Sequence, residues 1–465
     1  MSITNTVLSS TVIDGVRAAM ARSSSFEDLS SDSIQMFVGS LASQVLRLKA
    51  SSRVACPRPF RSVASGCAMP LPPTQEDRNE PELASACPFP VPHSAPLNCD
   101  VEVESVLEPT GFGSARNYAD EAALSATLVE ARAGLLSGHV PQLTSDGSGG
   151  TYMLRSSGDD SAKSELEASR IVAVFKPMDE EPLAWNCPRG MPPSVTGEGL
   201  KRGTRVGEGA YREVAAYLLD HPVNDGDSRG FAGVPPTTLV RCSSGFFPAA
   251  GGSPVTPLDG LEMYGVDVGK VGSLQQFVPA VSNCEDMGPA RFPASDVHKI
   301  AILDMRLANT DRNGANILVA KEPARDGGES SLKLVPIDHG YCMPESLEEC
   351  TFEWLYWPQA KQPLSDEAIN YIAKLDAEND LALLAASGWS VRPACARVLR
   401  ASTLLVKKGA AARKTVYDMG SMMVRDDPDE KCALEAMIEE AEAMAGSGGE
   451  DAVMACLAQV MDRHL

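Results

Sequence analysis

Two apolar runs in the second half of the chain constrain its fold more than any other feature. They are NILVA (316–320) and LKLVPI (332–337), and the turn-like segment ARDGGESS (324–331) lies between them. Short apolar runs on either side of a Gly-containing turn predict a β-hairpin. The hairpin would bring Asn316, at the start of the first strand, close to Asp338, which directly follows the second.

The segment before this hairpin, NTDRNGAN, carries a third polar residue, Asp311, which is separated from Asn316 by four residues. Phosphoryl transfer needs one carboxylate to orient the attacking hydroxyl, and an Asn and an Asp to hold Mg²⁺ on the phosphates. Asp311, Asn316 and Asp338 could fill these roles in that order. Each could also be an ordinary turn residue, because Asp and Asn readily hydrogen-bond to nearby backbone.

Two arginines and two histidines lie near these residues. Arg306 and Arg312 could neutralise phosphate charge, or they could pair with nearby carboxylates. His298 and His339 are interpreted as structural residues, since no second ligand pattern accompanies either of them.

The first half of the chain offers a complementary set around one lysine. Lys176 ends the strand-like run IVAVFKP, where it could hold the α- and β-phosphates of a nucleotide, or simply lie at a sheet edge. A helix predicted over GEGAYREVAAYLLD (207–220) would supply the carboxylate that orients this lysine, and we predict Glu213 for that role. Glu208 is the competitor, although a carboxylate at a helix start is more simply explained by the helix dipole.

Glycines and basic residues surround this lysine in the sequence. Glycines in SDGSGGTYML (145–154) could let the backbone approach phosphate oxygens, although glycines between strands are often plain turns. The Gly/Pro-rich loop 186–210 contains four basic residues, Arg189, Lys201, Arg202 and Arg205. In a chain of net charge −21 they form a local basic spot suited to a lipid or nucleotide phosphate, unless the loop is simply solvated.

The order of the predicted elements gives an α+β layout. A helix over 118–138 precedes a β-rich half that contains one further helix, and a mostly helical half with the central hairpin follows. Such an order predicts a cleft between the two halves.

We divide the chain into three regions. A Ser- and Pro-rich extension, 1–115, is predicted to be mostly disordered, because its Pro-rich composition cannot bury enough apolar surface. A catalytic domain follows over 116–446, with lobes at about 140–280 and about 281–446. A C-terminal helix is predicted over 447–465.

Composition excludes some functions. The net charge of −21 argues against nucleic acid as a partner, which requires many Lys and Arg to neutralise phosphates. Twelve cysteines without a C-x-x-C pair suit reduced thiols inside the cell. No apolar run is long enough to span a bilayer, so we expect a cytoplasmic protein with at most peripheral membrane association.

Seven segments together resemble the catalytic domain of the plant and algal phosphatidylinositol 4-kinase gamma group, type II-like members of the phosphatidylinositol 3/4-kinase superfamily. The segments are VFKPMDEEP, GEGAYREVAAYLLD, FAGVPPTTLV, GSLQQFV, HKIAILDMRLANTDR, VPIDHGYCMPES and CTFEWLYWPQA. The resemblance runs from about residue 146 to about 424. Two features depart from it: Asn313 stands where the group usually has His, and the Cys-rich palmitoylation motif of animal type II enzymes is absent.

The resemblance implies a bilobal protein-kinase-like fold that uses ATP with Mg²⁺, or with Mn²⁺ in its place. The implied ATP-binding residues form a glycine loop, a lysine–glutamate pair and a hinge strand: Gly149, Gly150, Thr151, Tyr152, Met153, Lys176, Glu213, Gln275, Gln276, Phe277 and Val278. Asn316 and Asp338 are the implied metal ligands. The implied catalytic loop runs from Arg306 to Asn316, with Asp311 as its carboxylate and Arg306 and Arg312 beside it.

The leading hypothesis is a 1-phosphatidylinositol 4-kinase that acts on phosphatidylinositol in membranes. A Ser/Thr protein kinase with protein substrates, and a pseudokinase-like scaffold, are the alternatives. Two further questions stay open. The aromatic residues Trp354, Tyr356 and Trp357 could lie at a membrane interface or in the core, and the basic stretch 392–414 could face anionic lipid.

Overall fold

The computed structural model of the protein describes residues 106–110, 118–158, 169–224, 229–247, 269–322 and 330–465. All of them belong to one compact unit, Pro96–Leu465. The predicted disorder of the extension concerns residues that lie almost entirely outside these ranges.

The first half of the described chain forms an antiparallel sheet of six strands. The strands are β1 (Leu107–Pro109), β2 (Gln142–Leu143), β3 (Tyr152–Arg155), β4 (Ile171–Pro177), β5 (Thr237–Cys242) and β6 (Lys270–Gln276). Their order across the sheet is β1-β5-β6-β4-β3-β2. The strands predicted around Lys176 are confirmed, and β4 lies between β3 and β6.

Strand β1 corrects the predicted domain boundary, because it lies inside the segment 1–115 that was assigned to the extension. Leu107 pairs with Cys242 of β5, and both Val106 and Leu107 are buried. The strand has only three residues and follows a Pro-rich stretch, so its sequence carries little periodicity of its own.

Two helices cover opposite faces of this sheet. Helix α1 (Tyr118–Leu136) buries Leu128 and Leu135 in one core with Phe175 of β4. Helix α2 (Gly209–Leu219) packs with Leu239 of β5 in another core. Because side chains alternate along a strand, Lys176 points away from Phe175 and toward the α2 face. The sheet register therefore places the lysine on the side of the helix that carries Glu213.

The second half contains the predicted hairpin within a three-stranded sheet. Its strands are β7 (Ser282–Asn283), β8 (Ile317–Glu322) and β9 (Ser331–Pro336), in the order β7-β8-β9. The α-helices that the structure describes in this half are α3 (Ala294–Arg306), α4 (Asp366–Lys374), α5 (Ala377–Ala386), α6 (Pro393–Ala411), α7 (Val416–Ser421), α8 (Ala433–Ala445) and α9 (Glu450–His464). The α+β prediction is confirmed.

The C-terminal helix α9 is part of the main core of this half. Val453, Leu457, Val460 and Met461 are buried in the same apolar cluster as side chains of α3 and α6. The predicted division at residue 446 is therefore not a structural boundary. Among the described residues, no helix combines the length and apolar character needed to cross a bilayer.

The aromatic segment after Asp338 is mostly core. Trp354 and Trp357 are buried in the main cluster, and Trp354 stacks on Phe352 with ring centroids 4.9 Å apart. Tyr356 alone of the three is exposed, at 81%. The core interpretation is correct for the two tryptophans.

Candidate active site

Lys176 lies between two carboxylates that come from different parts of the chain. Its Nζ atom is 2.5 Å from Glu213 Oε1 and 2.9 Å from Asp338 Oδ1. Burial opposes the charged form of this lysine, but Asp338 and Glu213 outweigh it and raise its pKa. The predicted Lys176–Glu213 pair is confirmed. Glu208, the competitor, instead pairs with Arg212 and Arg392.

Backbone geometry fixes the orientation of Asp338. The residue follows β9 and has a φ of 56°, in the left-handed region that Asp adopts more readily than most residues. On one side, Ile337 N donates to Asn316 O at 3.0 Å. On the other, His339 N donates to Glu213 Oε2 at 2.9 Å. Asp338 is thus held between the hairpin and helix α2.

Asp311 and Asn316 are joined within the loop before β8. Asn316 Nδ2 donates to the Asp311 carbonyl oxygen at 3.0 Å. The side chain of Asn313, the residue that departs from the family pattern, accepts a hydrogen bond from Asn316 N at 3.1 Å and caps the short 3₁₀ turn Gly314–Asn316. Asn313 therefore has a local structural role in shaping the loop.

Arg312 connects this loop to its surroundings. Its side chain is fully buried, and Nε donates to both carboxylate oxygens of Asp304 at 3.0 and 2.9 Å. Nη1 donates to the carbonyl oxygens of Asn316 and Ile337, the residues that precede β8 and follow β9. Trp354 Nε1 also donates to Asp304, at 3.1 Å.

Arg306 is buried in the same manner. It donates to the carbonyl oxygen of Leu219 and lies 3.2 Å from Asp380 Oδ2. Of the two interpretations of Arg306 and Arg312, the geometry therefore fits pairing with carboxylates. Both side chains are fully buried and contact protein carboxylates and carbonyl oxygens, which fits a role in positioning other residues.

The histidines are buried too. The His298 ring lies within hydrogen-bond distance of the Gln359 carbonyl oxygen, and His339 is fully buried next to Asp338. These positions fit the structural interpretation of both residues.

The glycine turn before β3 is packed against Glu180. Gly150 N donates to Glu180 O at 2.8 Å, and a Cβ atom at Gly150 would lie only 2.2 Å from Glu180 Oε2. Glu180 also accepts from the Tyr152 hydroxyl at 2.7 Å and pairs with Lys270 at 2.6 Å. Sequence reasoning did not identify Glu180 or Lys270 as supports of this turn, although MDEEP is part of the motif that carries the resemblance.

Arg189 holds the same turn from the other side. Its guanidinium donates to the carbonyl oxygens of Thr144, Asp146 and Gly149 at 2.6, 3.0 and 3.3 Å. Arg189 was predicted to belong to a basic spot suited to phosphate, but its N–H groups donate to backbone carbonyl oxygens.

The sheet register sorts the predicted nucleotide-binding residues by face. Met153, Val174 and Gln275 lie opposite one another on β3, β4 and β6, on the face of the sheet that carries Lys176. The Tyr152 side chain points to the other face. Thr151 and Phe277 contribute backbone bonds, from Thr144 N to Thr151 O and from Phe277 N to Val172 O, both at 2.9 Å. The predicted hinge continues through Gln276, the last residue of β6, and Val278, which lies two residues beyond it.

The basic loop lies against the segment that follows Asp338. Lys201 Nζ is 3.4 Å from Asp311 Oδ1, while Arg202 pairs with Glu348 at 2.6 Å. Arg205 lies 3.9 Å from Glu345. The loop is thus neither simply solvated nor an open basic patch, because carboxylates lie next to these cations.

The site fits a divalent cation that is shared with phosphate. The residues that the structure describes contain no cluster of three or more His, Cys, Asp or Glu side chains able to hold a metal ion. Asn316 and Asp338 offer two oxygen donors, and Mg²⁺ in kinase sites is commonly held by one or two protein ligands plus substrate phosphates and water.

Comparison with known proteins agrees with this geometry. The family model described as "Phosphatidylinositol 3- and 4-kinase" matches residues 157–419. Among curated proteins, phosphatidylinositol 4-kinase gamma 4 of Oryza sativa subsp. japonica is 51% identical over 336 residues, which cover 71% of this chain and 54% of that protein. Phosphatidylinositol 4-kinase gamma 3 of Arabidopsis thaliana is 48% identical over 338 residues, covering 71% of this chain and 55% of that protein.

The chain spans just over half the length of these curated relatives. The resemblance predicted from the seven segments is confirmed. Because the matched region includes both lobes and more than half of the chain, the protein belongs to the phosphatidylinositol 3- and 4-kinase family.

Proposed function

We propose that the protein transfers the terminal phosphoryl group of ATP to the 4-hydroxyl of phosphatidylinositol. The observation that carries this proposal is the position of Lys176 between Glu213 and Asp338, with Asp311 in the loop that Arg312 joins to the residue before Asp338. Phosphatidylinositol as the substrate and position 4 as the acceptor rest on the names of the relatives.

Each residue of the candidate site would have its own role in phosphoryl transfer. Lys176, oriented by Glu213, would hold the α- and β-phosphates, and Met153, Val174 and Gln275 would line the sheet face beneath the nucleotide. Asn316 and Asp338 would hold Mg²⁺, or Mn²⁺ in its place. When bound, the metal would neutralise charge on the phosphates.

Asp311 would orient the inositol hydroxyl and accept its proton. Burial raises the pKa of Asp311, and Lys201 opposes that rise. A carboxylate whose pKa is raised toward the working pH is a better proton acceptor than one at its ordinary value. Asp311 N donates a hydrogen bond to Asn309 Oδ1 at 3.0 Å, which helps to keep the loop in position.

A lipid substrate requires contact with a membrane surface, and we propose that this contact is peripheral and cytoplasmic. The loop between β4 and α2 supports this assignment, since Trp185 and Val195 are exposed at 84% and 99%. The basic stretch 392–414 offers less support. Arg397, Arg400 and Lys408 within it already pair with carboxylates.

In the test, labelled ATP and Mg²⁺ are added to the purified protein. Phosphatidylinositol vesicles and a generic protein substrate are supplied in parallel as acceptors. We expect label in the lipid, at the 4-position when the headgroup product is separated from its 3- and 5-phosphate isomers. Asp338→Ala should abolish the labelling. Label found only in protein would contradict the proposal in favour of a protein kinase, and bound ATP without transfer would indicate a scaffold.

Nucleotide binding is tested separately from transfer. Mg·ATP should raise the melting temperature of the protein, because a ligand that binds only the folded state stabilises it. Lys176→Ala should largely remove this shift. An unchanged shift in the variant would contradict the role of Lys176 in holding phosphate.

A further inference from the structure

Lys201 lies at the tip of a short turn with a defined shape. Glu198 and Arg205 form an isolated antiparallel bridge, and Gly199 N donates to Thr204 O at 2.9 Å. Thr204 is buried, and both its amide and its hydroxyl donate to the Lys201 carbonyl oxygen. We call residues 198–205 the lysine turn.

The lysine turn is fixed to the segment that follows Asp338. Glu345 N donates to Gly203 O at 2.9 Å, and Arg202 N donates to Glu349 Oε1 at 3.3 Å. Gly203 has a φ of 76°, and a Cβ atom there would lie 2.8 Å from Glu345 N. The contact is therefore close and suited to glycine. The turn belongs to the first half of the chain, but it places Lys201 beside Asp311, which belongs to the second half.

The Lys201 ammonium lies next to the proposed catalytic carboxylate. Its Nζ is 3.4 Å from Asp311 Oδ1 and 4.0 Å from Glu349 Oε2, and about a quarter of its side chain, 25%, is exposed. The catalytic loop supplies no comparable cation, because Arg312 is buried against Asp304 and Asn313 is neutral.

The charge balance of the site indicates what this ammonium does. Lys176 is shared by Glu213 and Asp338, and Asp311 adds a third carboxylate. ATP brings several further negative charges, and charge spreads over the oxygens of the terminal phosphoryl group during transfer. A carboxylate that orients the acceptor hydroxyl must lie beside that group, so a cation in contact with the carboxylate lies beside it too.

We propose that Lys201 binds the terminal phosphate of ATP and stabilises its charge during transfer, which rests on the proposed function. Lysine suits this role because its ammonium is a compact point charge on a flexible stem, so it can move from Asp311 to a phosphate oxygen without moving the turn.

The binding test compares Mg·ATP with Mg·ADP by calorimetry in the full chain. Lys201→Gln should weaken Mg·ATP binding about tenfold, the usual scale for losing a charge-assisted hydrogen bond, and leave Mg·ADP binding unchanged. Lys201→Arg should retain part of the selectivity. Arg202→Gln is the matched control, since Arg202 occupies the same turn but pairs with Glu348, and it should change neither affinity.

The kinetic test uses the same variants in phosphoryl transfer to phosphatidylinositol vesicles. Lys201→Gln should lower kcat about 10²-fold, as removal of one transition-state donor does, with little change in the KM for lipid. An unchanged ratio of ATP to ADP affinity overturns the proposal whatever happens to kcat. Equal losses in Lys201→Gln and Arg202→Gln also overturn it, because the effect would then come from the turn.

The two proposals can fail separately. If the wild-type protein phosphorylates no lipid but Lys201→Gln loses ATP selectively, the proposed function falls and the role of Lys201 stands. If the wild-type protein phosphorylates lipid but Lys201→Gln loses no ATP affinity relative to ADP, the proposed function stands and the role of Lys201 is contradicted.

Discussion

At the scale of single residues, the geometry of the candidate site depends on buried charged groups such as Arg312. Arg312 contacts Asp304 with one part of its guanidinium and the backbone on both sides of the hairpin with another. It therefore fixes the distance between Asn316 and Asp338. A planar group with several donors can do this, whereas a lysine ammonium cannot reach the same partners together.

We expect Arg312→Lys to lower kcat about 10²-fold while the KM for ATP changes little, since small displacements of catalytic groups can have effects of that size. Steady-state kinetics measure both constants. Arg413→Lys is the control, because Arg413 is largely exposed and should tolerate the change. Wild-type kcat in Arg312→Lys would show that the loop keeps its geometry without the guanidinium.

The sequence predicts the residues with proposed chemical roles better than the residues that support them. Lys176, Glu213 and Asp338 are found because a strand lysine, a helix carboxylate and a hairpin end each leave a local pattern. The pairing of Lys270 with Glu180, or of Lys201 with Asp311, joins residues about 90 or more positions apart. Such pairs depend on tertiary packing, which no local pattern records.

At the scale of elements, one buried carboxylate joins three helices. Asp380 of α5 accepts from Arg306 of α3 at 3.2 Å and lies 2.6 Å from His221 Nε2, two residues beyond α2. Burial opposes ionisation of Asp380, but Arg306 and His221 outweigh it and lower its pKa. The helix that carries Glu213 is thereby connected to the helix that leads into the catalytic loop.

We expect Asp380→Asn to lower the free energy of unfolding by about 3–5 kcal/mol at pH 7, because Arg306 would lose its buried partner. A lowered pKa means that the ionised carboxylate stabilises the fold above the unfolded-state value of about 3.9, and that this stabilisation is lost as the pH falls. The difference between variant and wild type should therefore shrink below about pH 4.

Denaturant unfolding at several pH values measures this difference. Asp366→Asn serves as the control, since Asp366 is exposed and lies 3.8 Å from an exposed arginine. A penalty that does not depend on pH would contradict the role of the charge on Asp380.

Helices and strands whose apolar residues recur at a clear spacing were predicted, and strands too short to show such a spacing were missed. Helix α2 and the β8–β9 hairpin carry apolar patterns over several turns or strand residues. Strand β1 has three residues and β2 has two, so each depends on its neighbour in the sheet and not on its own sequence.

At the scale of the whole molecule, the last helix is needed for the main core. Leu457 of α9 is buried in the cluster that includes α3, the helix leading into the catalytic loop. Gly446 and the glycines after it end α8, but they do not end the core.

We expect Leu457→Ala to lower the free energy of unfolding by about 2–5 kcal/mol, the usual effect of leaving a cavity in a core. Gln459→Ala, on the exposed face of the same helix, should change it by less than about 0.5 kcal/mol. Chemical denaturation of both variants provides the measurement. Equal stability of the two would mean that α9 is not part of the cooperative fold.

Helix α2 is attached to the segment after Asp338 through Arg212. This arginine is fully buried and donates to the carbonyl oxygens of Cys342 and Met343. Swinging the helix outward would leave a guanidinium charge buried without these partners, at considerable cost in free energy. Helix α2 is therefore fixed where Glu213 pairs with Lys176. Under the proposed function, the rate of transfer should then follow the supply of lipid and nucleotide and not a movement of this helix.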